Sequence, residues 1–381
     1  MSKNSAKSIY FVTSLNAGGA ERVLCSYIEN AAERLQVQAV ICLVWTSDRR
    51  LKDRLQRVCP IIELAGDPER GFGRQVWRAL SVCWRERAAM FHGWMYHGCV
   101  LATMFWWLTA SGNAMFWAIH SSGIVAGERR LLHSAELLVL GAICRVTGAK
   151  VLYCGEDSRK VHLGKWHWPT RNAEVLTNGI DITKFVPSDR IKAEVRREFG
   201  IPERSLILGY VGRWHPDKDV GALCRALTIL GADIPDLVVI FCGKGLELQN
   251  RDFADAVAAA SKSLRCISLG EVSDTSQMIP AFDFLCLCSR REAFPLVLCE
   301  ALSCGVPCVT TDVGDCRSII NGFGRIVQPG DFRQLAQAIV EYAGILRRGS
   351  AIDTRMATRE WAEKAFDEKI VTQRYLSVLE V

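Results

Sequence analysis

Several features that mark specialised classes of protein are missing from these 381 residues. There is no low-complexity tract and no repeat at a solenoid period, which excludes fibrous and repeat architectures. The first residues contain no long apolar segment followed by a cleavage site, so we expect that the protein is not secreted. No Cys-x-x-Cys pair and no His/Cys spacing typical of zinc sites occurs, and we therefore expect no structural metal.

Cysteine, in contrast, is plentiful, with 16 residues. The chain is too long to belong with the small secreted domains that disulfides usually stabilise. Many of the cysteines lie in apolar runs, such as Cys42, Cys286 and Cys288, where they are expected to pack as small buried hydrophobes. This usage predicts a reducing, cytoplasmic environment.

Strand-like apolar runs alternate with amphipathic segments in two successive series. Such alternation is typical of βαβ units and parallel sheets. The length suits two domains of about 150 to 200 residues each, and the polar segment with Pro187 and Pro202 separates the two series. We predict an α/β protein with two Rossmann-like, doubly wound parallel-sheet domains facing a central cleft, with ligands at the carboxyl ends of the strands.

The two halves differ in charge. Residues 1–185 hold 23 Lys and Arg and 15 Asp and Glu, a net charge of +8, whereas residues 186–381 hold 24 and 26, a net charge of −2. The first half is therefore expected to face an anionic partner. Within residues 70–90, arginine recurs every four positions at Arg70, Arg74 and Arg78, and Arg85 and Arg87 follow. Trp77 and Trp84 are interleaved with them. This segment suits either a helix on an anionic membrane surface or a solvated helix whose aromatic residues enter the domain core.

Residues 98–120 are the stretch that comes nearest to a membrane span in composition. A Ser-Gly-Asn turn at 111–113 interrupts the stretch well short of the ~20 residues that a spanning helix needs. The pattern therefore favours a buried helix followed by a buried strand.

The most informative segment is SRREAFPLVLCEALSCG at 289–305, which follows a buried strand and opens a helix. Pro295 suits the first helical position, so the free N–H groups near Leu296 and Val297 would form a site for a phosphate. Glu292 lies just before the helix and Glu300 lies further along it, and carboxylates accept hydrogen bonds from vicinal hydroxyls. This layout fits a nucleotide-sugar, which carries hydroxyls on both sides of a central pyrophosphate.

Two other strand-following loops carry candidate ligand groups. Arg213 and Lys218 lie in GYVGRWHPDKD at 209–219 and could neutralise a departing pyrophosphate. The Asp-Lys-Asp in the same loop is interpreted as a turn and helix cap, because its surroundings are cationic. Gly18 and Gly19 follow the first strand and allow close backbone approach to a ligand. No G-x-G-x-x-G is completed, so a nicotinamide dinucleotide is not indicated.

This combination resembles the retaining GT-B glycosyltransferases of family 4. The motifs that match in order are GGAERV at 18–23, LTNGID at 176–181, VGRWHPDKD at 211–219 and REAFPLVLCEALSCGVPCVTTDVG at 291–314. The resemblance implies an N-terminal acceptor-binding domain at 1–185 and a donor-binding domain at 186–360. It also implies that a C-terminal helix at 361–381 crosses back to the first domain.

The resemblance also implies a role for each matching position. The implied catalytic residues are Glu292 on the donor hexose, Arg213 and Lys218 on the diphosphate, and His120 in the catalytic cleft. A structural histidine remains the alternative at position 120. The implied donor-binding groups are Gly18, Gly19, the amides of Phe294, Leu296 and Val297, and Glu300 on the ribose.

The implied activity is retaining, metal-independent transfer of a hexose from a UDP-sugar, or alternatively a GDP-sugar, with no cofactor. The acceptor would be a glycan or a lipid-linked sugar in cell-surface polysaccharide biosynthesis, on a cytoplasmic protein bound peripherally to the inner face of the plasma membrane. Nucleic acid is not an expected partner. The alternatives are a nucleotide-sugar epimerase or a glycan phosphorylase on the same fold, and a non-catalytic subunit that binds a nucleotide-sugar.

Overall fold

The computed structural model describes residues 6–16, 18–47, 49–66, 71–86, 89–110, 114–123, 130–230, 233–348 and 351–380. The chain forms two compact units. The first unit comprises Met1–Gly179 together with Glu368–Val381, and the second comprises Ile180–Asp367. The chain leaves the first unit after Gly179 and returns to it after Asp367, and the residues at these two crossings are hydrogen-bonded to each other. The Ile180 N–H donates to the carbonyl of Phe366, and Ile180 forms a parallel bridge with Asp367. The units divide at these crossings rather than at residues 185 and 360.

Among the described residues, the part of the first unit up to Gly179 contains seven strands and six helices. The strands are β1 Ala6–Val12, β2 Leu35–Val44, β3 Ile61–Ala65, β4 Met90–Trp94, β5 Met115–Ile119, β6 Lys150–Tyr153 and β7 Ala173–Val175. The helices are α1 Gly19–Ala31, α2 Arg49–Gln56, α3 Phe72–Arg85, α4 Met95–Leu108, α5 Arg130–Thr147 and α6 Glu156–Gly164.

The second unit contains six strands and seven helices among the residues described. The strands are β8 Ile207–Val211, β9 Val238–Cys242, β10 Arg265–Gly270, β11 Phe284–Leu287, β12 Cys308–Thr311 and β13 Gly324–Val327. The helices are α7 Asp189–Glu198, α8 Val220–Leu230, α9 Arg251–Ala260, α10 Leu296–Ser303, α11 Cys316–Ile320, α12 Phe332–Arg347 and α13 Ala351–Phe366. The chain then returns to the first unit as α14, Glu368–Val378.

Both sheets are parallel. Their strand orders are β3-β2-β1-β4-β5-β6-β7 and β10-β9-β8-β11-β12-β13. Central strands such as β5 (MFWAI) and β9 (VVIFC) are buried along their whole length, as expected for a parallel sheet covered by helices on both faces. The predicted fold class, two doubly wound parallel α/β domains, is confirmed.

Cysteine contributes to these cores as the sequence predicts. Fifteen of the sixteen thiols are buried, and that of Cys266 is partly buried. Burial raises the pKa of these thiols, for example to about 12 for Cys224 and Cys242. They are therefore protonated at neutral pH and pack as apolar groups.

The apolar stretch at 98–120 folds as a helix and then a strand. It supplies most of α4 and the whole of β5, while the Ser-Gly-Asn turn at 111–113 lies outside the described residues. Within the part of the chain that the structure describes, no helix has both the length and the apolar character of a membrane span.

Candidate functional site

In the second unit, the loops after β8 and β11 lie side by side because these strands are neighbours in the sheet. The N–H of Arg290, in the loop after β11, donates to the carbonyl of Asp217, in the loop after β8, at 2.7 Å. The loop after β9 joins them, since the Trp214 N–H donates to the carbonyl of Lys244 at 2.8 Å. Three strand ends thus meet at the carboxyl edge, where open α/β sheets bind ligands.

Lys218 and Glu292 form the centre of this edge. The Lys218 ammonium lies 2.5 Å from Oε1 of Glu292, although the two residues are 74 positions apart in sequence. The Ser289 hydroxyl donates to the same carboxylate oxygen at 2.7 Å. The lysine side chain is 25% exposed and the glutamate 11%, so the pair is shielded but reachable from solvent. Sequence reasoning singled out both residues but not their pairing.

The Glu292 loop is held from beneath by β12 and the turn after it. The Thr311 hydroxyl donates to the carbonyl of Ser289 at 2.6 Å. Gly314, with φ of +53°, lies so close that a Cβ there would be 2.5 Å from the carbonyl oxygen of Glu292. Only a residue without a side chain permits this approach, so the glycine fixes the backbone that presents Glu292.

The helix that follows, α10, begins one residue later than the sequence predicts. Pro295 was expected in the first helical position, but its ψ of 105° is extended and it serves as the N-cap, so the helix begins at Leu296. The N–H groups of Leu296 and Val297 belong to the first turn, where no intrahelical acceptor exists. The N-terminal end of the helix dipole therefore lies close after Glu292 in the chain.

The two remaining predicted residues of this segment point inward. Phe294 is 7% exposed and its ring packs against Phe366, which leaves the backbone N–H as its candidate ligand group. Glu300 is 2% exposed within α10. Its predicted contact with a ribose stays a prediction.

Two arginines that sequence reasoning missed lie in the loop after β11 and pair with the aspartates of the Asp-Lys-Asp loop. Nε of Arg291 donates to the Asp217 carboxylate at 2.9 Å, and the Arg290 guanidinium lies 2.7 Å from the Asp219 carboxylate. The loop itself is a short 3-10 turn at Pro216–Lys218, followed by Asp219 in the left-handed conformation. The turn that was expected at this motif is present, and its expected role as a helix cap stays a prediction. Nowhere among the described residues do three or more His, Cys, Asp or Glu form a group that could hold a metal ion.

Arg213 behaves differently from Lys218. It follows β8 by two positions, its side chain is exposed, and it has no acidic partner in the described parts of the chain. Its loop is nevertheless well fixed, because Gly243, with φ of +144°, packs directly against the carbonyl of Gly212. Arg213 is thus a cation on a fixed loop whose charge is not neutralised by an ion pair.

In the first unit, His120 follows β5 and is linked to the Gly-Gly turn through Trp94. The imidazole stacks on Trp94 with the ring centroids 4.5 Å apart. The Trp94 indole N–H donates to the carbonyl of Ala20 at 2.9 Å, in the first turn of α1. Gly18 caps this helix in an extended conformation and Gly19 is its first residue. The sequence did not reveal that Trp94 connects two of its candidate groups.

Burial lowers the pKa of His120 to about 4, and the buried Nδ1 of the ring has no hydrogen-bond partner among the described residues. The imidazole is therefore neutral at pH 7 and can donate or accept one hydrogen bond at each nitrogen. A neutral ring held by stacking is suited to orienting a hydroxyl rather than to carrying a charge.

Comparison with protein families matches residues 205–344 to the model for "Glycosyl transferases group 1". The D-inositol 3-phosphate glycosyltransferase of Corynebacterium jeikeium is 28% identical over 331 residues, covering 78% of this chain and 77% of that protein. The enzyme of the same name from Salinispora arenicola is 34% identical over 159 residues, covering 38% and 35%. The N-acetyl-alpha-D-glucosaminyl L-malate synthase of Bacillus anthracis is 26% identical over 213 residues, covering 54% and 53%.

Similar solved structures cover nearly the whole chain. Anabaena Alr3699/HepE in complex with UDP has a TM-score of 0.81 at 18% identity, covering 99% of both chains. WaaG, a glycosyltransferase involved in lipopolysaccharide biosynthesis, has a TM-score of 0.69 at 16% identity, covering 98% of this chain and 99% of its own. Residues 205–344 therefore match the glycosyl transferases group 1 family, and the two parallel-sheet units of the chain have the GT-B fold of these structural neighbours.

Proposed function

We propose that the protein transfers a hexose from a nucleotide-sugar to a hydroxyl of a glycan or lipid-linked sugar, with retention at the anomeric carbon and without a metal. A UDP-sugar is favoured as the donor, with a GDP-sugar as the alternative. The observation that carries the proposal is the Lys218–Glu292 ion pair, which precedes the N-terminus of α10 at the carboxyl edge of the second sheet. The group 1 match and the UDP complex of Anabaena HepE support the donor class.

The ion pair suggests how the donor would bind. Lys218 and Arg213 would take the diphosphate, and the first-turn amides of Leu296 and Val297 would donate to its oxygens. Glu292, which Ser289 orients, would then accept hydrogen bonds from the hexose hydroxyls. The buried Glu300 would be reserved for the ribose.

The reaction breaks the bond between the anomeric carbon and the diphosphate oxygen, and negative charge grows on the leaving diphosphate. Cations and helix amides that are already in position stabilise that charge without reorganisation. The acceptor oxygen would attack from the face that the diphosphate leaves, its proton passing to the departing phosphate, which preserves the anomeric configuration. Positive charge from Lys218 and Arg213 would take the place of a metal ion.

The first unit would supply the acceptor side. Its neutral His120, which stacks on Trp94, would orient the acceptor or a donor hydroxyl, and the Gly18-Gly19 turn would lie against the donor. The basic charge of this half fits an acceptor with phosphate groups. We place the reaction in cell-surface polysaccharide biosynthesis, on a cytoplasmic protein at the inner face of the plasma membrane.

The test is turnover with a panel of UDP- and GDP-sugars, measured for the wild type and for the variants Lys218→Gln and Glu292→Gln. Loss of a group that stabilises the leaving diphosphate should lower kcat by a factor of about 10² to 10³. Lys262→Gln and Glu194→Gln alter exposed charges of the second unit outside the candidate site and serve as matched controls. Unchanged thermal unfolding would show that the fold survives in all four variants.

Near-normal transfer by both site variants would reject the proposal. A product assay with the nucleotide-sugar alone distinguishes a transferase from an epimerase, because an epimerase converts the sugar without an acceptor. A protein that binds the donor but converts it in no assay would instead be a binding subunit.

A further inference from the structure

Three neighbouring helices of the first unit present an unusually apolar outer surface. Nine of the sixteen large hydrophobic side chains that are exposed among the described residues lie on α3, α4 and α5. These nine side chains belong to Phe72, Trp77, Trp84, Met104, Trp107, Leu108, Leu138, Val139 and Val146. We call these residues, with the arginines between them, the α3–α5 face.

The helices of this face cover one side of the first sheet. The inner sides of α3 and α4 pack in one core cluster with β1 to β4, and those of α4 and α5 pack in another with β5 and β6. Right-handed crossovers in this strand order place the three helices on the same side of the sheet. The apolar side chains therefore share one outer surface.

On α3, the outward residues fall into two stripes. Trp77 and Trp84 are 63% and 37% exposed, and their rings contact each other at 5.6 Å on the face opposite the buried Gln75. Arg74 and Arg78 lie beside them, exposed and without an acidic partner in the described residues. Paired tryptophans beside arginines are typical of helices that lie in a membrane interface.

On α5, the outer side is almost entirely apolar. Leu138, Val139 and Val146 are exposed by 47%, 57% and 79%. Trp107 on α4 is exposed by 54%. Isolated exposed hydrophobic residues are ordinary, but a contiguous set on adjoining helices marks an interaction surface.

Charge identifies the partner. The sequences of α3 and α4 contain no acidic residue, and that of α5 contains only Glu136, which lies 3.1 Å from His133. Unlike Arg74 and Arg78, Arg85 pairs with a carboxylate, that of Glu86 just beyond the end of α3. A face that combines apolar groups with nearly unopposed positive charge complements a surface with an apolar interior and anionic head groups.

We propose that the α3–α5 face binds an anionic lipid bilayer, with α3 and the outer sides of α4 and α5 lying in the head-group region. This surface is wider than residues 70–90, because it includes α4 and α5. Arg70 and Arg87, which belong to that sequence segment, lie outside the described residues. The proposal is independent of sugar transfer, since lipid binding needs no donor.

The test is cosedimentation of the full chain with vesicles of phosphatidylcholine alone and of phosphatidylcholine mixed with phosphatidylglycerol, without nucleotide-sugar. We expect binding to the anionic vesicles only, weakening as salt is added. Arg74→Gln with Arg78→Gln should lower the partition coefficient about fivefold for each charge removed. Leu138→Ser with Val139→Ser should weaken binding by about tenfold, because apolar insertion is lost.

Matched controls come from the second unit. Arg197→Gln with Arg204→Gln removes two exposed arginines, and Ile229→Ser with Leu248→Ser removes two exposed apolar side chains. Both should bind vesicles as the wild type does. Circular dichroism and the Tm of each variant check that the fold is retained.

Two results would overturn the proposal. The first is equal binding by the variants of the α3–α5 face and by their controls, or no vesicle binding at all. The second is a dimer in sedimentation analysis that Leu138→Ser with Val139→Ser separates, which would assign the face to a second copy of the chain. If the wild-type protein bound the anionic vesicles but transferred no sugar in the donor panel, the proposed function would be rejected and this inference would stand.

Discussion

The two units share a parallel-sheet architecture but are built from different side chains. Nine of the eleven tryptophans and six of the seven histidines belong to the first unit, which also carries the net positive charge. The second unit is nearly neutral, and its only histidine, His215, is exposed. The candidate donor site of the second unit is built from charged pairs at strand ends. The first unit instead surrounds its polar groups with aromatic rings.

Buried histidines are the clearest consequence of that difference. His92 lies between the hydroxyls of Ser8 and Tyr375, at 3.1 and 2.9 Å. His162 lies 2.8 Å from the Tyr96 hydroxyl and 2.7 Å from a backbone carbonyl. Burial lowers the pKa of His92 to about 3 and that of His162 to about 4. With His120, three neutral imidazoles lie in the first unit.

The largest expected effect is therefore selective acid destabilisation of the first unit. An unfolded histidine takes up a proton near pH 6.5, whereas these three stay neutral in the folded unit down to about pH 4 or below. The unfolded state binds more protons in this window, so the free energy of unfolding falls as the pH falls below about 6.5. At about pH 5 each buried histidine should cost about 2 kcal/mol, a large share of a typical total.

Denaturant unfolding at a series of pH values between neutrality and about pH 5 measures this effect. Tryptophan fluorescence reports mainly the first unit, while circular dichroism reports both units. His162→Gln should remove about one third of the pH dependence, and the variant of the exposed His215, His215→Gln, is measured beside it as the control. Equal acid sensitivity of the two units would show that the histidine contrast has no energetic consequence.

The next largest effect concerns His120 itself. Replacement by Ala should lower kcat by about 10² to 10³-fold if the ring orients a reacting hydroxyl, which corresponds to about 3 to 4 kcal/mol. His120→Asn, which retains a hydrogen-bonding group, should recover part of the loss. Turnover is compared with the variant of another first-unit histidine, His167→Ala. A kcat that is unchanged in His120→Ala would leave the histidine with a structural role only.

The candidate donor site and the surroundings of His120 differ in how much of each could be predicted from the sequence. The Glu292 and Lys218 loops are short motifs, each following a buried strand, and their adjacency follows from the strand order. The stacking of His120 could not be predicted, because Trp94 is the last residue of a strand, β4, that was not recognised. β4 was missed since MFHGW combines histidine with glycine, which weakens the apolar pattern that marks a buried strand. Gly93 is required there, because a Cβ would be 2.5 Å from the Cα of Cys99.

The candidate donor site of the second unit offers a sharper test of backbone positioning. Gly314→Ala adds a Cβ against the carbonyl of Glu292 at a φ of +53°, so both conformational strain and displacement of the loop are expected. We expect a loss of about 2 to 3 kcal/mol in stability, of which about 1 kcal/mol is the strain alone. Turnover should fall by more than the loss of stability explains, because Glu292 moves.

Gly322→Ala is the matched control. Gly322 also has a positive φ, of +86°, but nothing lies within 4 Å of its Cβ position. The Gly322→Ala variant should lose only about 1 kcal/mol of unfolding free energy, from conformational strain, and should keep normal turnover. Equal turnover in the two variants would mean that the position of Glu292 does not depend on this contact.

The smallest effect tests how α14 is held against the first sheet. The Tyr375 hydroxyl contacts Nδ1 of His92 at 2.9 Å and the Tyr10 hydroxyl at 3.1 Å, all of them buried. Tyr375→Phe leaves two buried polar groups short of a partner and should cost about 1 to 2 kcal/mol. Tyr153→Phe should be neutral or stabilising, because the buried Tyr153 hydroxyl has no hydrogen-bond partner among the described residues.

Tryptophan fluorescence should register the change in Tyr375→Phe, since the lost contacts all belong to the first unit. The variant also tests the acid prediction, because a His92 that has lost its neighbour is protonated more easily once water reaches it. Its unfolding free energy should therefore depend less steeply on pH than that of the wild type. A pH dependence identical to that of the wild type would show that burial by the surrounding sheet, rather than the α14 hydroxyl, keeps His92 neutral.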